Sequence, residues 1–403
     1  MGKRILVLGS SFGGFNAAMR LRKLLGGAHE ITVISADPLF TFIPSLPWVA
    51  LGWREPSAIQ HPVAARLWSA GIRHTQDTIT RLDPAACRAI GKNGVYEYDY
   101  LVAATGSELD FAAAPGLEPD GGQRHALFTV EQALAVRGAL ERLCARGGGS
   151  IVLGNVQGAS CLGPVYEMAF LIDTMLRRKK LRGKFLISLF TNEPFAGHFG
   201  VGGFGAMRRM LEDEFADRDI ECITNARLAG VSPNHVELEG GRRLACDFSL
   251  ITPAFYGSHA YMGEEGLANP RGFLLADEYL ANPRYPNIYA VGVSLAIPPK
   301  EATPVPVGVP KTGQMTEVMA MRAAHNIAAD IQGGSKARGI DFSVICIADA
   351  GDTAFLAGAS PLQPPRNRLI HKKGALFHYM KEAFERYYMA HVRYGLPIPE
   401  ISL

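Results

Sequence analysis

Long runs of a single kind of residue are missing from this sequence of 403 residues. No apolar stretch reaches the roughly 18 residues that a membrane-spanning helix needs. No run of five or six like charges occurs and the formal net charge is only +3, so binding to nucleic acid has no electrostatic basis. An apolar strand already starts within residues 1–9, which leaves no room for a signal peptide. These absences predict a protein of the cytoplasm or of the cytoplasmic membrane surface.

Cysteine motifs are missing as well. The six cysteines include no C-x-x-C pair and no metal-ligand spacing, which argues against a bound metal and against a disulfide-stapled secreted fold. Four of them lie among ordinary strand, helix or turn residues, and we predict that these are inert packing groups: Cys87, Cys144, Cys222 and Cys246. Cys161 and Cys346 have less ordinary neighbours and are candidates for chemistry.

The N-terminal residues have the pattern of a β-α-β unit. A strand, a glycine-rich turn and a helix read KRILVLGSSFGGFNAAMRLRKLL, and a second apolar strand, EITVIS, follows at residues 30–35. Glycines allow a pyrophosphate to approach the helix N-terminus, where free N–H groups and the helix dipole favour negative charge. Gly9, Gly13 and Gly14 supply such a turn, although Ser11 occupies the middle glycine position of G-x-G-x-x-G. This pattern predicts a dinucleotide site.

Two later segments extend this site. YDYLVAATGS, residues 98–107, is a strand that ends in an Ala104-Thr105-Gly106 turn, and NPRYPNIYAVGVS, residues 282–294, is a strand that reaches Gly292. In flavoproteins with two dinucleotide domains, such a turn returns the chain to the FAD domain, and the later strand positions the flavin end of the cofactor. The three signals in this order predict bound FAD.

A second β-α-β pattern lies between these segments, in residues 147–176 and in the strand FLISLFT at 185–191. Its first turn has no G-x-G-x-x-G, and its second strand ends at Thr191-Asn192 before Glu193, without a clear acid for a ribose hydroxyl. We therefore predict an α/β fold with two Rossmann-like, doubly wound domains. The second domain is expected to bind no NAD(P) and to carry Cys161 where that cofactor would lie.

Several segments resemble those of the sulfide:quinone oxidoreductases, in order and over nearly the whole chain. They are ISADPLFTFIPSLPWVALGW (34–53), GASCLGPVYE around Cys161, EPFAGHFG around His198, IPPKEATPVPVGVPKTG (297–313), ICIADAGDTAFLA around Cys346 and AFERYY (383–388). Together with the strand pattern, the resemblance predicts an FAD domain made of residues 1–112 and 270–345. Residues 113–269 form the second Rossmann-like domain in this prediction, and residues 346–403 form a C-terminal segment that docks to the membrane and to quinone.

The resemblance implies that Cys161 and Cys346 are a redox pair, with Cys346 nearest the flavin. Hydrosulfide would attack the oxidised pair and leave a persulfide, the freed thiolate would pass two electrons to the flavin, and further sulfide would extend the chain to polysulfide. The helix after Cys161 is predicted to lower the pKa of this thiol through its dipole. Glu167 and His198 are both candidates for the base, and either one has an ordinary structural interpretation as well.

The predicted FAD contacts extend beyond the glycine turn. Lys311 lies just before a helix that begins at Gly313, so its ammonium group and the helix N-terminus would stabilise negative charge on the reduced flavin. Phe42 and Phe128 stand where related flavoproteins have cysteines, and we therefore predict that FAD is bound non-covalently. The predicted cofactor residues are Gly9, Ser11, Phe12, Gly13, Gly14, Ser35, Ala36, Pro44, Ile79, Ala104, Thr105, Gly106, Gly292, Lys311, Thr312 and Gly313.

Residues 372–395 are predicted to form an amphipathic helix. Its apolar side carries Phe377, Met380, Phe384, Tyr387 or Tyr388, and His391. Its polar side carries Lys381, Glu382, Glu385 and Arg386, and it is flanked by Lys372, Lys373 and Arg393. Such a helix is typical of docking to an anionic membrane, and the alternative is packing on its own domain or on a neighbouring subunit of a homo-oligomer.

The resemblance also implies a quinone site near Phe42, Pro44, Gly313, Phe384 and Tyr387. Two other enzymes remain alternatives, a sulfide dehydrogenase of the flavocytochrome c type and an NADH:quinone oxidoreductase. The first would favour a cysteine near position 42, and the second would need an intact second glycine motif. An alternative outside the enzymes is a non-catalytic FAD-binding scaffold, and sulfide would not bleach the flavin of such a protein.

Overall fold

The computed structural model of the protein describes residues 2–119, 124–338 and 343–397. Its α-helices, in chain order, are α1 Phe12–Leu25, α2 Leu46–Ala50, α3 Pro56–Ile59, α4 Ala64–Ser69, α5 Val130–Arg146, α6 Gly163–Arg178, α7 Met207–Asp217, α8 Gly313–Gln332 and α9 Ala375–Tyr394. Within the described ranges, none of these helices combines the length and the hydropathy needed to cross a bilayer.

The β-strands, in chain order, are β1 Arg4–Leu8, β2 Glu30–Ser35, β3 Leu39–Thr41, β4 Gln60–Pro62, β5 Arg73–Gln76, β6 Ile79–Asp83, β7 Arg88–Gly91, β8 Val95–Glu97, β9 Tyr100–Ala103, β10 Glu108–Asp110, β11 Arg124–His125, β12 Gly149–Asn155, β13 Phe185–Phe190, β14 Ile220–Ile223, β15 Leu228–Ser232, β16 His235–Leu238, β17 Arg243–Ala245, β18 Phe248–Thr252, β19 Ala254–Tyr256, β20 Ile288–Ala290, β21 Val344–Asp349, β22 Ala354–Ser360 and β23 Arg368–Gly374.

The first large sheet has the strand order β20-β9-β1-β2-β5, and all its pairs are parallel. Apolar residues of β1 are fully buried because helices cover a parallel sheet on both faces. Helices α1 and α8 pack on each other beside this sheet. The order confirms the predicted Rossmann-like architecture at the N-terminus.

The second large sheet has the order β11-β18-β12-β13-β14 and is also parallel. Its strands come from residues 124–252, between the chain segments that build the first sheet. The predicted α/β class is therefore confirmed. The domain boundaries stay predictions, and residue 1 and the stretches 120–123, 339–342 and 398–403, which they include, lie outside the described residues.

A third sheet after these two was not predicted. Strands β21, β22 and β23 form an antiparallel sheet, and Cys346 lies on its first strand. Lys372 and Lys373 belong to β23, and the helix begins only at Ala375, so its predicted start at residue 372 was three residues too early. Lys373 pairs with the buried Glu214, a partner far away in the sequence that local patterns do not reveal.

The orientation of α9 also differs from the prediction. Lys381 and Glu385 were expected on an outer polar side, but they are only 5% and 4% exposed. Lys381 pairs with Glu167, and Glu385 accepts hydrogen bonds from Arg54 and Ser45. The outer side instead shows large apolar groups: Leu376, Tyr379, Met380, Phe384, Tyr387 and Tyr394. The charged side of α9 therefore faces inward, because Lys381 and Glu385 find buried partners there. Without such partners, burial of these charges would be costly.

Candidate active site

The turn between β1 and α1 is a cradle made of backbone. Gly9 has a φ of +97°, and a Cβ there would lie 2.3 Å from the carbonyl oxygen of Ala104. A Cβ at Gly14 would lie 1.8 Å from the oxygen of Gly9. Ser11 is the N-cap residue of α1 and its side chain makes no capping hydrogen bond, so the first amides of the helix can bind phosphate.

A second helix N-terminus and two strand ends adjoin this cradle. Thr312 caps α8 by accepting a hydrogen bond from the amide of Met315 at 3.2 Å. A Cβ at Gly313 would lie 3.1 Å from the ring of Phe12, so α8 starts beside the start of α1. Gly292, after β20, has a φ of +69° and packs closely on Thr316 of α8.

The turn after β9 closes the same region. The Thr105 and Tyr261 hydroxyls share a hydrogen bond of 2.7 Å, and the Gly106 amide donates to the Ser294 hydroxyl at 3.2 Å. These contacts tie the Ala104-Thr105-Gly106 turn to residues that come much later in the chain. The geometry fits a dinucleotide that lies across the carboxyl ends of β1, β9 and β20.

The other predicted cofactor residues lie around the same sheet. The Ser35 hydroxyl, at the end of β2, donates to the oxygen of Asp37 at 2.7 Å. Ala36 follows it and accepts a hydrogen bond from Gln76 through its carbonyl oxygen. Ile79 begins β6, and Pro44 lies in a short 3-10 turn, Ile43–Ser45. Their contacts with a cofactor stay predictions.

Cys161 and Cys346 come together from distant parts of the sequence. Cys161 lies two residues before α6, Cys346 lies on β21, and both are free thiols. Burial, with a smaller contribution from the nearby Cys346, raises the pKa of Cys161 to about 12, although Lys311 opposes the increase. The predicted decrease in this pKa is therefore wrong, because the helix dipole is a smaller effect than the removal of the thiolate from water.

A buried ion pair lies next to Cys346. Glu167 on α6 pairs with Lys381 on α9. Burial raises the pKa of Glu167 to about 7, although Lys381 counteracts this. Cys346 has an exposed side chain on β21, and burial of its thiol by the surrounding protein, with a smaller contribution from Glu167, raises its pKa to about 11, although Lys381 opposes the increase. The structure thus brings Glu167 into the surroundings of the cysteine pair.

His198 lies in a buried loop after β13. The charged groups that act on it are Glu301 and Arg366, and burial lowers its pKa. Its loop reaches the cysteine pair through backbone packing. A Cβ at Gly200 would lie 2.1 Å from the oxygen of Gly308, and a Cβ at Gly308 would lie 2.6 Å from the Cβ of Ser160, next to Cys161.

Aromatic side chains cluster where the resemblance implies a quinone. The ring of Phe42 is fully buried and lies 5.8 Å from those of Phe12 and Phe384 and 5.4 Å from that of Tyr388. Tyr387, which the resemblance places in this site, is 37% exposed, and its hydroxyl donates a hydrogen bond to the carbonyl oxygen of Pro397. The turn of α9 that carries both tyrosines directs Tyr388 inward.

The sequence did not reveal two polar residues of this region. Burial raises the pKa of Glu317 on α8 to about 7, and Glu317 in turn raises the pKa of Tyr388. Asp349 accepts a hydrogen bond from Trp48 at 2.7 Å and contacts His378 at 2.8 Å. The available signal for Glu317 was that α8 carries only two acids, Glu317 and Asp330, among its 20 residues.

Known proteins show the same architecture. The family model described as pyridine nucleotide-disulphide oxidoreductase matches residues 3–154. A sulfide-quinone reductase of Aquifex aeolicus (strain VF5) is 40% identical to this chain over 410 residues, which cover 100% of this chain and 94% of that protein. The chain belongs to the sulfide:quinone oxidoreductase family.

Solved structures agree with this family. The X-ray structure of the sulfide:quinone oxidoreductase from Aquifex aeolicus matches with a TM-score of 0.94 and 39% identity, and the match covers 99% of this chain and 93% of that one. An NADH dehydrogenase-like protein of Mycobacterium tuberculosis is 30% identical over 72% of each chain. As a sulfide:quinone oxidoreductase family member, the protein is a flavin-dependent oxidoreductase whose cofactor is FAD.

Proposed function

We propose that the protein oxidises sulfide through Cys161 and Cys346 and passes two electrons, by way of FAD, to a membrane quinone. The observation that carries this proposal is the pair of thiols brought together beside Lys311 and Glu167. The similarity to sulfide-quinone reductase over the whole chain supports the choice of substrates.

The cysteine pair supplies the covalent chemistry. Hydrosulfide attacks one sulfur of the oxidised pair, a new S–S bond forms, the bond between the cysteines breaks, and the other cysteine leaves as a thiolate. The high pKa of each thiol makes its thiolate a strong nucleophile but a poor leaving group, so the negative charge that is released needs stabilisation. Lys311 lies near enough to Cys161 to stabilise its negative charge, and burial lowers the pKa of Lys311 to about 8.

Proton transfer during sulfide oxidation requires two further groups, Glu167 and His198. Glu167 has a pKa of about 7, so at neutral pH a large fraction is ionised and can accept a proton from hydrogen sulfide. Lys381 pairs with that carboxylate. His198, in the loop that packs on Gly308 and Ser160, relays protons between the Cys161 side and solvent.

FAD supplies a two-electron acceptor when it is bound. The glycine turn at Gly9 to Gly14 would hold its pyrophosphate, and Lys311 with the start of α8 would hold its flavin end. Phe42 is a buried phenylalanine and offers no thiol for a covalent link, which supports non-covalent binding.

Serine variants of the two cysteines test this proposal. In Cys161→Ser or Cys346→Ser, anaerobic reduction of the flavin by sulfide should slow by about a thousandfold or more, because one nucleophile has lost its partner. Cys144→Ser is the matched control and should reduce at the normal rate, since Cys144 lies on α5 away from the site. Normal reduction in both active-site variants would contradict the proposal.

The outer face of α9 is the surface that docks to the membrane. Leu376 is 67% exposed, Tyr379 is 64% exposed and Met380 is 43% exposed, and all three lie within two turns of the helix. Aromatic and apolar groups of this kind suit the headgroup boundary of a bilayer. The same helix carries Tyr388 and Phe384 to the cluster around Phe42, so a quinone leaving the bilayer meets the aromatic site.

Point substitutions test docking better than removal of the helix. Tyr388, Met389 and Val392 are buried, so truncation would expose the core. Leu376→Glu combined with Tyr379→Glu should reduce co-sedimentation with anionic vesicles at least about tenfold, while sulfide still bleaches the flavin. Leu186→Glu is the control, because Leu186 is 70% exposed on β13. If the double variant sediments normally but its oligomeric state changes, the face binds another subunit and the membrane proposal is wrong.

A further inference from the structure

Glu193 is a buried acid at an informative position. It follows β13 at the carboxyl edge of the second sheet, where a nucleotide-binding Rossmann domain places the acid that contacts a ribose. Its side chain is 0% exposed, so it is turned inward and away from any such ligand.

The carboxylate of Glu193 is held by hydrogen-bond donors. One oxygen accepts from the Tyr166 hydroxyl at 2.5 Å and from the Thr191 hydroxyl at 2.7 Å. The other accepts from the backbone amide of Phe199 at 2.7 Å, and the amide of His198 also contributes. Glu193 therefore binds the two consecutive backbone amides of His198 and Phe199.

The His198 loop, residues 195–203, depends on such an anchor. Phe199 has a φ of +52° and Gly197 a φ of +80°, conformations that do not support regular hydrogen bonding along the chain. On the other side of the loop, Arg366 donates to the carbonyl oxygen of Gly203 at 2.7 Å and to that of Val201. The loop is thus clamped between an acid and an arginine.

The clamp also fixes the imidazole. The Gly200 amide donates to Nδ1 of His198 at 3.1 Å, so the neutral ring carries its proton on Nε2. Glu301 and Arg366 are the charged groups that act on the ring, and the ring of Phe195 packs edge-on against it at 5.1 Å. The same loop rests on Gly308, which touches the residue before Cys161.

We infer that Glu193 is a positioning residue for sulfide oxidation, because its carboxylate holds the His198 loop against the backbone that carries Cys161. This inference rests on the proposed function, in which His198 relays protons. It assigns a role to an acid that lies at the position where a nucleotide-binding Rossmann domain carries its ribose-binding acid.

Two substitutions of Glu193 distinguish the effect of its hydrogen bonds to the loop from the effect of its negative charge. In Glu193→Gln, the amide oxygen can still accept from Phe199, and the amide nitrogen can donate to the two hydroxyls, which also accept. In Glu193→Ala, the loop loses its anchor and His198 gains access to water. The His198 pKa, measured by NMR with isotope-labelled histidine, should rise toward the ordinary value of about 6.5 in the alanine variant and stay near wild type in the glutamine variant.

Kinetics provide the second measurement. The rate of flavin reduction by sulfide at neutral pH should fall about tenfold to a hundredfold in Glu193→Ala and less than about threefold in Glu193→Gln. Asp173→Asn is the matched control, because Asp173 is another fully buried acid of this sheet layer whose partners are arginines. It should leave the His198 titration unchanged even where it lowers stability.

The outcomes decide between the two proposals. An unchanged His198 titration in a folded Glu193→Ala protein would overturn the positioning role. If that variant does not fold, Tyr166→Phe removes one donor and should give a smaller shift in the same direction, and no shift would again overturn it. If His198→Asn reduces at the normal rate, the proton relay is wrong, and the titration still decides whether Glu193 holds the loop.

Discussion

Two turns of this protein start from the same three residues and have become different sites. Val-Leu-Gly leads from β1 to Gly9 and recurs in β12 at Gly154. Gly9 adopts a positive φ and opens a cradle beside Ala104. At Gly154 a Cβ would lie 2.0 Å from the ring of Phe190, so the missing side chain makes room for an aromatic ring of the neighbouring strand. Gly9 belongs to the predicted cofactor turn, whereas Gly154 makes room for packing.

The space beyond the second turn is filled by the protein. The Gly158 amide donates to the oxygen of Pro306 at 2.6 Å, and the Gly308 amide donates to the oxygen of Ala159 at 2.9 Å. Asn192, at the end of β13, also donates to Pro306. The proline-rich loop therefore lies where a nucleotide would approach. The same topology thus leaves an open backbone turn at the first sheet, where we expect FAD, and a turn filled by the protein at the second.

The largest expected effect concerns the first turn. Gly14→Ala should remove most of the bound FAD, because the new Cβ would lie 1.8 Å from the backbone oxygen of Gly9. The flavin absorbance of the purified protein measures this. Gly163→Ala, at the equivalent start of α6, meets open space and should retain full flavin. Stoichiometric flavin in Gly14→Ala would show that the cradle tolerates a side chain.

The second effect concerns the other turn. NADH should reduce the flavin about a thousandfold more slowly than sulfide does, because the filled turn cannot position a nicotinamide ring for hydride transfer. Anaerobic stopped-flow absorbance with each reductant gives the two rates. Comparable rates would mean that the loop around Pro306 moves aside for a nucleotide.

A third effect tests how the second domain is held together. Asp173 is fully buried and pairs with Arg177, Arg182 and Arg218. Asp173→Asn should lower the free energy of unfolding by about 3 kcal/mol, because Arg218 stays buried with one partner fewer. Glu212→Gln breaks an exposed pair with Arg208 and should cost less than about 0.5 kcal/mol. Urea unfolding of both variants measures these free energies. Equal losses in the two variants would show that the buried cluster around Asp173 does not stabilise the domain more than a surface pair does.

The smallest effect is the pH dependence of stability near α8. Burial raises the pKa of Glu317 to about 7, so the folded state favours the neutral acid. Its stabilising contribution is complete below the ordinary pKa and is lost as pH rises through about 7. Glu317→Gln should therefore match wild type at low pH and exceed it by about 1–2 kcal/mol above neutral pH. The free energies of unfolding of the two proteins, measured at low pH and above neutral pH, check this. The same difference between them at both pH values would contradict a raised pKa of Glu317.

Local patterns predicted the first sheet well and the site less completely. The turn at Gly9, the end of β9 and the strand before Gly292 are short-range signals, since each strand and its turn are contiguous in sequence. The inward position of Lys381 depends on Glu167, and β22 pairs with β23 across the proline-rich residues 361–367. Neither is encoded within a single window of sequence.

The pKa of Cys161 shows the same limit in chemical terms. The start of α6 is visible in the sequence and favours a thiolate, whereas the burial that opposes it comes from elements far along the chain. Proximity of Cys161 to Cys346 was accessible only through the resemblance to the family. Glu193 was seen in the sequence, but its partners Tyr166 and Phe199 were not.

The most direct test of the account is to find where sulfur first binds. The holoenzyme is mixed anaerobically with one equivalent of sulfide, its thiols and persulfides are trapped by alkylation, and its peptides are mapped by mass spectrometry. The account predicts added sulfur on Cys161 or Cys346 and on none of Cys87, Cys144, Cys222 and Cys246. Flavin reduction with no sulfur on either active-site cysteine would contradict it.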